Sequence, residues 1–171
     1  REAQTELLFQ NKELLAVPFE IALADEAISD SDRYKVLIVE DNVDVALYLK
    51  DCLEKDYHLY FAKNGQEGID QALELIPDII ISDVMMPLKD GFELCQTLKK
   101  VEETSHIPII LLTAKATLED KIAGLEYGAD AYLTKPFYPK ELDVRLAKLI
   151  ENRKSLQAKY SQGTLIAKSA P

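Results

Sequence analysis

The sequence predicts an α/β fold, a doubly wound five-stranded parallel sheet with helices on both of its faces. Short apolar runs alternate with longer amphipathic stretches from Lys35 onward, which is typical of parallel strands connected by helices. The run Ile79–Ile81 lacks polar alternation, as expected of a strand that is buried on both faces. Five strand–helix pairs fit within about 120 residues, which is the size of one domain.

The first two pairs precede residue 78. The first predicted strand is "KVLIVEDN", and its helix runs from about Val43 to Lys55. The second strand is "HLYFA", and the helix after "KNG" extends to Ile76. Pro77 ends that helix because proline has no amide hydrogen to donate.

The other three pairs follow the same pattern. The third strand is "DIIISD", and its helix begins near Gly91. The fourth is "IPIILLTA", followed by a helix from about Leu118 to Tyr127 that Gly128 ends. The fifth is "AYLTKPF", and the last helix begins near Pro139, because proline is favoured in the first helical turn.

The predicted domain occupies residues 34–150, with further segments on either side. Residues 1–33 are expected to form a linker segment with a short helix, and residues 151–171 a helical extension and tail. A stripe with spacings of three and four continues along the last helix through Leu142, Leu146, Leu149, Arg153, Leu156 and Tyr160. This stripe either packs back on its own domain or faces a partner.

Composition restricts the function classes. The 171 residues are 47% hydrophobic and 29% charged, an ordinary balance for a globular domain. A net charge of −10 disfavours direct nucleic-acid binding, because nucleic-acid phosphates attract basic surfaces. No stretch approaches the roughly 18 apolar residues of a membrane span. We therefore expect no membrane binding and a cytoplasmic location. Because the first residue is Arg1, we also expect the chain to be a piece of a longer protein.

Acidic residues converge at the carboxyl ends of the predicted strands. Glu40 and Asp41 end the first strand and Asp83 ends the third, and these strands are neighbours in a doubly wound sheet. Three carboxylates so close together would repel one another, and a hard divalent cation such as Mg²⁺ relieves that repulsion. Thr113 and Lys135 end the fourth and fifth strands. A hydroxyl and an ammonium beside the acids predict a phosphoryl-transfer site with Asp83 as the nucleophile.

Four motifs surround these residues in chain order, namely "VEDN" at the acidic pair, "SDVMMPLKDGFEL" around Asp83, "LLTA" around Thr113 and "YLTKPF" around Lys135. In these motifs, residues 34 to about 150 resemble a response-regulator receiver domain of two-component signalling, where they supply the acidic pair, the phospho-acceptor loop, the switch hydroxyl and a Lys-Pro pair. It implies a flavodoxin-like arrangement of the sheet. It also implies that the segment was excised from a hybrid sensor kinase or a multidomain regulator.

The resemblance implies a role for each matching residue. Asp83 would accept a phosphoryl group from a histidine kinase or phosphotransfer domain, with slow self-dephosphorylation as the only other chemistry. Asp41 would bind Mg²⁺ directly and Glu40 through water, and the backbone carbonyl of Met85 would complete the protein ligands. Lys135 would hold the phosphoryl oxygens.

The other matches concern switching and backbone geometry. Thr113 would hydrogen-bond to the phosphoryl group, and Tyr132 would turn inward with it. Pro136 would follow a cis peptide bond, while Pro87 and Gly91 match the family's loop proline and turn glycine. Homodimerisation through the fourth and fifth helices is a further possibility in this family.

Alternative readings remain. A metal-dependent phosphatase of the haloacid-dehalogenase type would need an aspartate two positions after the nucleophile, where this chain has Met85. A flavin carrier would need a phosphate-binding loop after the first strand, but "EDNVD" is acidic. A receiver-like module that signals by binding alone is the other alternative. Glu40 and Asp41 could also merely cap a helix, and Tyr132 could be a fixed core aromatic.

Overall fold

The computed structural model describes residues 32–114 and 117–169, with side chains described as far as Lys159. Five strands and five helices alternate along this part of the chain, in a unit that begins at Tyr34. The predicted linker over residues 1–33 lies almost wholly outside the described residues. Among the residues described, no helix has both the length and the apolarity needed to cross a membrane.

The five strands form one parallel sheet. Their bounds are β1 Tyr34–Val39, β2 Tyr57–Ala62, β3 Ile79–Asp83, β4 Ile109–Thr113 and β5 Ala131–Thr134. They are ordered β2-β1-β3-β4-β5, and each neighbouring pair is parallel. This confirms the predicted doubly wound sheet, whose strand order changes direction between β1 and β3.

Each strand is followed by a helix. The helices are α1 Val43–Leu53, α2 Gly65–Leu75, α3 Gly91–Lys100, α4 Leu118–Glu126 and α5 Pro139–Ser169. A polar side chain caps the start of each of the first four helices by accepting backbone amide hydrogens, and these caps are Asn42, Asn64, Asp90 and Thr117. At the end of α2, Ile76 takes a left-handed conformation with φ 46° immediately before Pro77.

Side chains of the central strands alternate between two apolar layers. Val36 and Ile38 lie in the layer covered by α1 and α5, whereas Leu37 and Val39 lie in the layer covered by α2 and α3. All four are fully buried. The run of isoleucines in β3 supplies both layers, which explains why that strand shows no polar alternation.

The predicted stripe on α5 packs back on its own domain. Leu142 and Leu146 are fully buried against the sheet. Beyond residue 150, the Arg153 guanidinium donates to the Asp78 carbonyl at 2.7 Å and to the Pro77 carbonyl at 3.3 Å. Contacts within the domain therefore extend past the predicted boundary at residue 150.

Further along α5 the stripe loses its partners in the sheet. The ammonium of Lys154 lies 4.5 Å from the centre of the Tyr34 ring. Of these contacts between α5 and the rest of the domain, this one lies farthest along the helix. Leu156 is exposed, and the side chain of Tyr160 lies outside the described residues.

Candidate functional site

Three carboxylates meet where β1 and β3 end. Glu40, Asp41 and Asp83 each offer an oxygen, and these oxygens lie within 4.8 Å of one another. The pairing of Val39 in β1 with Ser82 in β3 explains this proximity, because the residues that follow this pair in the two strands lie side by side. Glu40 is buried, Asp83 is half-buried and Asp41 is exposed, so the cluster opens to solvent on the Asp41 side.

Lys135 brings the opposite charge into the cluster. Its Nζ lies 3.2 Å from Oε2 of Glu40 and 3.2 Å from Oδ2 of Asp83. Its backbone amide donates to the Thr113 carbonyl at 2.7 Å, which fixes the residue after β5 against the end of β4. The peptide bond between Lys135 and Pro136 is cis.

The surroundings of Glu40 disfavour the charged form of its carboxyl group. Burial raises its pKa, the nearby charge of Asp83 raises the pKa further, and Lys135 opposes both effects. Its other oxygen accepts the Asn42 amide at 3.2 Å. One ammonium does not balance three carboxylates, so the cluster keeps excess negative charge. Oxygen donors, excess negative charge and an open side fit a hard divalent cation.

The loop between β3 and α3 closes on itself beside the cluster. The Gly91 amide donates to the Val84 carbonyl at 2.9 Å. A Cβ at Gly91 would lie only 2.4 Å from the Asp83 carbonyl oxygen, so only glycine fits there. The Met85 amide approaches Oδ1 of Asp83 at 3.4 Å, and the carbonyl of Pro87 accepts the Lys89 amide at 2.9 Å. The role of the Met85 carbonyl as a metal ligand stays a prediction.

Thr113, the last residue of β4, and Tyr132, within β5, are buried beside each other. Thr113 is fully buried, and Tyr132 is 6% exposed. Burial raises the pKa of the Tyr132 hydroxyl, as does the charge of Asp120, while a side-chain hydrogen bond with Thr113 acts in the opposite direction. The Tyr132 ring lies against α4, where a Cβ on Gly124 would be 2.8 Å from it. The ring therefore occupies the inward position.

Sequence reasoning missed an apolar rim on the same side of the sheet. The rim consists of exposed large side chains at the start of α1 and in the loops after β3 and β5, namely Val43, Leu47, Met85, Leu88 and Tyr138. The helical periodicity of α1 indicates its buried face, with Leu49 and Leu53, and gives no signal for the exposed one.

A family model matches most of the described domain. The model is that of the response regulator receiver domain, and it matches residues 36–147. This range includes most of both layers of the core, the three carboxylates and Lys135.

Curated relatives match the chain over one part of their length. The chain is 41% identical over 145 residues to histidine kinase P4 of Formosa agariphila, which covers 85% of this chain and 11% of that protein. It is 36% identical to the sensor histidine kinase TmoS of Ectopseudomonas mendocina, covering 80% of this chain and 14% of that protein. The chain thus spans a small fraction of these relatives.

Solved structures match the same region. The signal receiver domain of a signal transduction histidine kinase from Syntrophus aciditrophicus is 38% identical, with a TM-score of 0.66, covering 70% of this chain and 91% of that one. The receiver domain of sensor histidine kinase PA1611 from Pseudomonas aeruginosa is 29% identical, with a TM-score of 0.66 and coverage of 70% and 98%. That structure has a magnesium ion coordinated in its active site cleft.

Proposed function

Because the chain belongs to the response-regulator receiver domain family, we propose that Asp83 accepts a phosphoryl group from a phosphohistidine in a Mg²⁺-dependent reaction. The observation that carries this proposal is the placement of Lys135, whose ammonium lies 3.2 Å from both Asp83 and Glu40 inside the three-carboxylate cluster. A nucleophilic carboxylate, acidic metal ligands and a fixed cation are the parts that phosphoryl transfer to an aspartate requires.

In the proposed step, an oxygen of Asp83 attacks the phosphorus, the P–N bond to the histidine breaks, and an aspartyl phosphate forms. Lys135 binds an oxygen of the transferring group, where a charge-assisted hydrogen bond opposes the negative charge. Asp41 and the Met85 carbonyl directly, and Glu40 through water, would hold Mg²⁺, which would supply positive charge against the phosphoryl oxygens. Asp83 itself is half-buried, so a donor can reach it from the open side.

The same geometry supports a switching role for Thr113 and Tyr132. Phosphorylation adds about −1.5 to −2 charge and three strong acceptor oxygens at Asp83. The Thr113 hydroxyl, now beside Tyr132, then gains an acceptor that exists only in the modified chain. Reorientation of Thr113 would change the contact with Tyr132 and, through its ring, the position of α4.

The apolar rim around the cluster supports a protein partner as the phosphoryl donor. Val43 and Leu47 on α1 and Met85 and Leu88 in the loop after β3 are each more than half exposed. Apolar side chains around a charged centre give a docking surface that excludes water from the transfer. We assign this surface to a histidine kinase or phosphotransfer domain.

A homodimer is the second candidate association, through α4 rather than through the stripe on α5. Leu118, Ile122 and Leu125 are exposed at spacings of four and three along α4. Light scattering on the chain with and without a phosphate analogue tests this association. A monomer under both conditions would contradict it.

Intact mass spectrometry after incubation with acetyl phosphate or phosphoramidate and Mg²⁺ tests the proposed reaction. We expect one phosphoryl adduct on the native chain, none on Asp83→Asn and none in EDTA. Asp56→Asn is the matched control, because Asp56 is exposed at the opposite end of the sheet, and it should still form the adduct. A folded native chain that forms no adduct would overturn the proposal and favour signalling by binding alone.

A further inference from the structure

The loop after β3 is held from outside by a helix that contributes no side chain to the site. We propose that Gly65, the first residue of α2, is a positioning residue for phosphoryl acceptance, because its missing side chain lets α2 support the loop that follows Asp83 and carries Met85. This inference rests on the proposed function.

The tip of the loop has a backbone conformation that needs support. Leu88 has φ 68°, and the Lys89 amide donates to the Pro87 carbonyl at 2.9 Å, which together make a tight turn centred on Leu88. A positive φ is unfavourable for a leucine, and this kind of turn is rare. The Leu88 side chain is 79% exposed, so packing of that side chain does not hold the turn in place.

The support comes from the backbone of α2. A Cβ at Gly65 would lie 2.0 Å from the carbonyl oxygen of Lys89, 2.6 Å from its carbonyl carbon and 2.8 Å from its Cβ. Two of these three atoms are backbone atoms, which cannot move aside by a change of rotamer. The start of α2 and the tip of the loop are therefore in direct contact, and only glycine permits it.

The start of α2 is itself firmly placed. The side chain of Asn64 accepts the Glu67 amide at 2.8 Å, and the Asn64 carbonyl accepts the Gly68 amide at 2.9 Å. These two hydrogen bonds fix the first turn of α2, which is the part of the helix that contacts the loop after β3.

A Cβ at Gly65 must therefore move either the helix or the loop, and the loop yields more readily because its tip is exposed. Movement of the loop displaces the Met85 backbone relative to Glu40 and Asp41. Misplacement of reacting groups by about 1 Å costs on the order of a hundredfold in rate, so we expect Gly65→Ala to slow phosphoryl acceptance by about tenfold to a hundredfold.

The matched control is Gly68→Ala, in the same helix. A Cβ there would lie 2.8 to 2.9 Å from side-chain atoms of Val39 and Leu94, with no loop backbone among its three nearest atoms. We expect Gly68→Ala to lower stability, while its folded fraction accepts the phosphoryl group at close to the native rate. Equal rates for native chain and Gly65→Ala would overturn the inference.

Amide hydrogen exchange separates this inference from the proposed function, because it needs no phosphoryl donor. We expect faster exchange at Lys89 and Gly91 in Gly65→Ala and unchanged exchange there in Gly68→Ala. If the native chain accepts no phosphoryl group, the proposed function fails while exchange still reports whether Gly65 holds the loop. If Gly65→Ala does not fold, hydrogen exchange of the native chain tests the inference instead. An unprotected Lys89 amide, in a chain whose Gly68 amide is protected, would show that α2 does not hold the loop and would contradict the inference.

Discussion

Helices α3 and α4 lie on the same face of the sheet, yet they are held very differently. Helix α3 buries Gly91, Leu94, Cys95 and Leu98. In α4, all of whose residues are described, Gly124 alone is buried. The site therefore joins a firmly packed half, formed by α3 and the acceptor loop before it, to a lightly packed half, formed by α4 beside Thr113 and Tyr132. A lightly packed helix moves at low cost in free energy.

The packing difference predicts unequal costs for the same truncation. Leu98→Ala removes a fully buried side chain of α3 and should lower the free energy of unfolding by about 2–5 kcal/mol. Leu125→Ala removes a side chain of α4 that is 47% exposed and should change it by no more than about 0.5 kcal/mol. Urea unfolding of both variants measures the difference, and similar losses would mean that the two helices are equally well held.

Hydrogen bonds from Lys99 of α3 connect this helix to the segments that precede β4 and β5. The ammonium of Lys99 donates to the Ile107 carbonyl at 2.7 Å and to Asp130 at 3.1 Å, just before β4 and β5 begin. Lys99→Met leaves the carbonyl without this donor and should cost about 1–3 kcal/mol in unfolding experiments. The exposed neighbour Lys100 is the control, and Lys100→Met should have little effect.

The contact between α4 and Tyr132 can be broken from the helix side. Gly124→Ala favours the helix by about 1 kcal/mol in propensity, but the new Cβ occupies space that the Tyr132 ring now fills. We expect the ring to move outward, with a net change in stability of no more than about 1 kcal/mol. Nitration of tyrosines followed by peptide mapping measures the exposure of Tyr132. Equal protection in variant and native chain would show that α4 moves instead.

The smallest expected effect is a pH dependence from Glu40, which lies 3.2 Å from Lys135. The folded state raises the pKa of Glu40, so it binds the proton more tightly than the unfolded state does. In EDTA, the free energy of unfolding should therefore fall as the pH rises from the ordinary pKa of 4.5 through the raised one. Glu40→Gln removes this dependence in denaturation measured across that range. If the free energy of unfolding changed equally with pH in the native chain and in Glu40→Gln, the assignment to Glu40 would be wrong.

The sequence carries enough information to predict the sheet and the position of the acidic cluster. Fully apolar runs identify strands buried on both faces, and parallel strands bring their carboxyl ends to one edge, which places Asp83 near Glu40. The same reasoning places Lys135, at the end of the fifth predicted strand, beside these acids. The resemblance to a family was needed for the role of Lys135 toward the phosphoryl oxygens and for the cis peptide bond before Pro136.

Other features depend on contacts that local pattern does not encode. Gly65 and Lys89 are far apart in sequence, and "KNG" reads equally well as an ordinary turn before a helix. The use of Arg153 to bind the carbonyls after α2 is likewise invisible in the periodicity of α5, where Arg153 occupies a place on an apolar stripe. Exposure of the apolar face of α4 also follows from how its helix docks, not from its spacing.

The anchoring of α5 gives the domain a mechanical property. The helix is continuous for 31 residues, and sixteen of them follow Arg153, the last residue hydrogen-bonded to the loop after α2. At 1.5 Å per residue that segment extends about 24 Å, so a tilt of about 10° at the Arg153 pivot would carry Ser169 sideways by about 4 Å. A small rotation of the helix at the sheet would therefore displace its far end by about the width of a side chain.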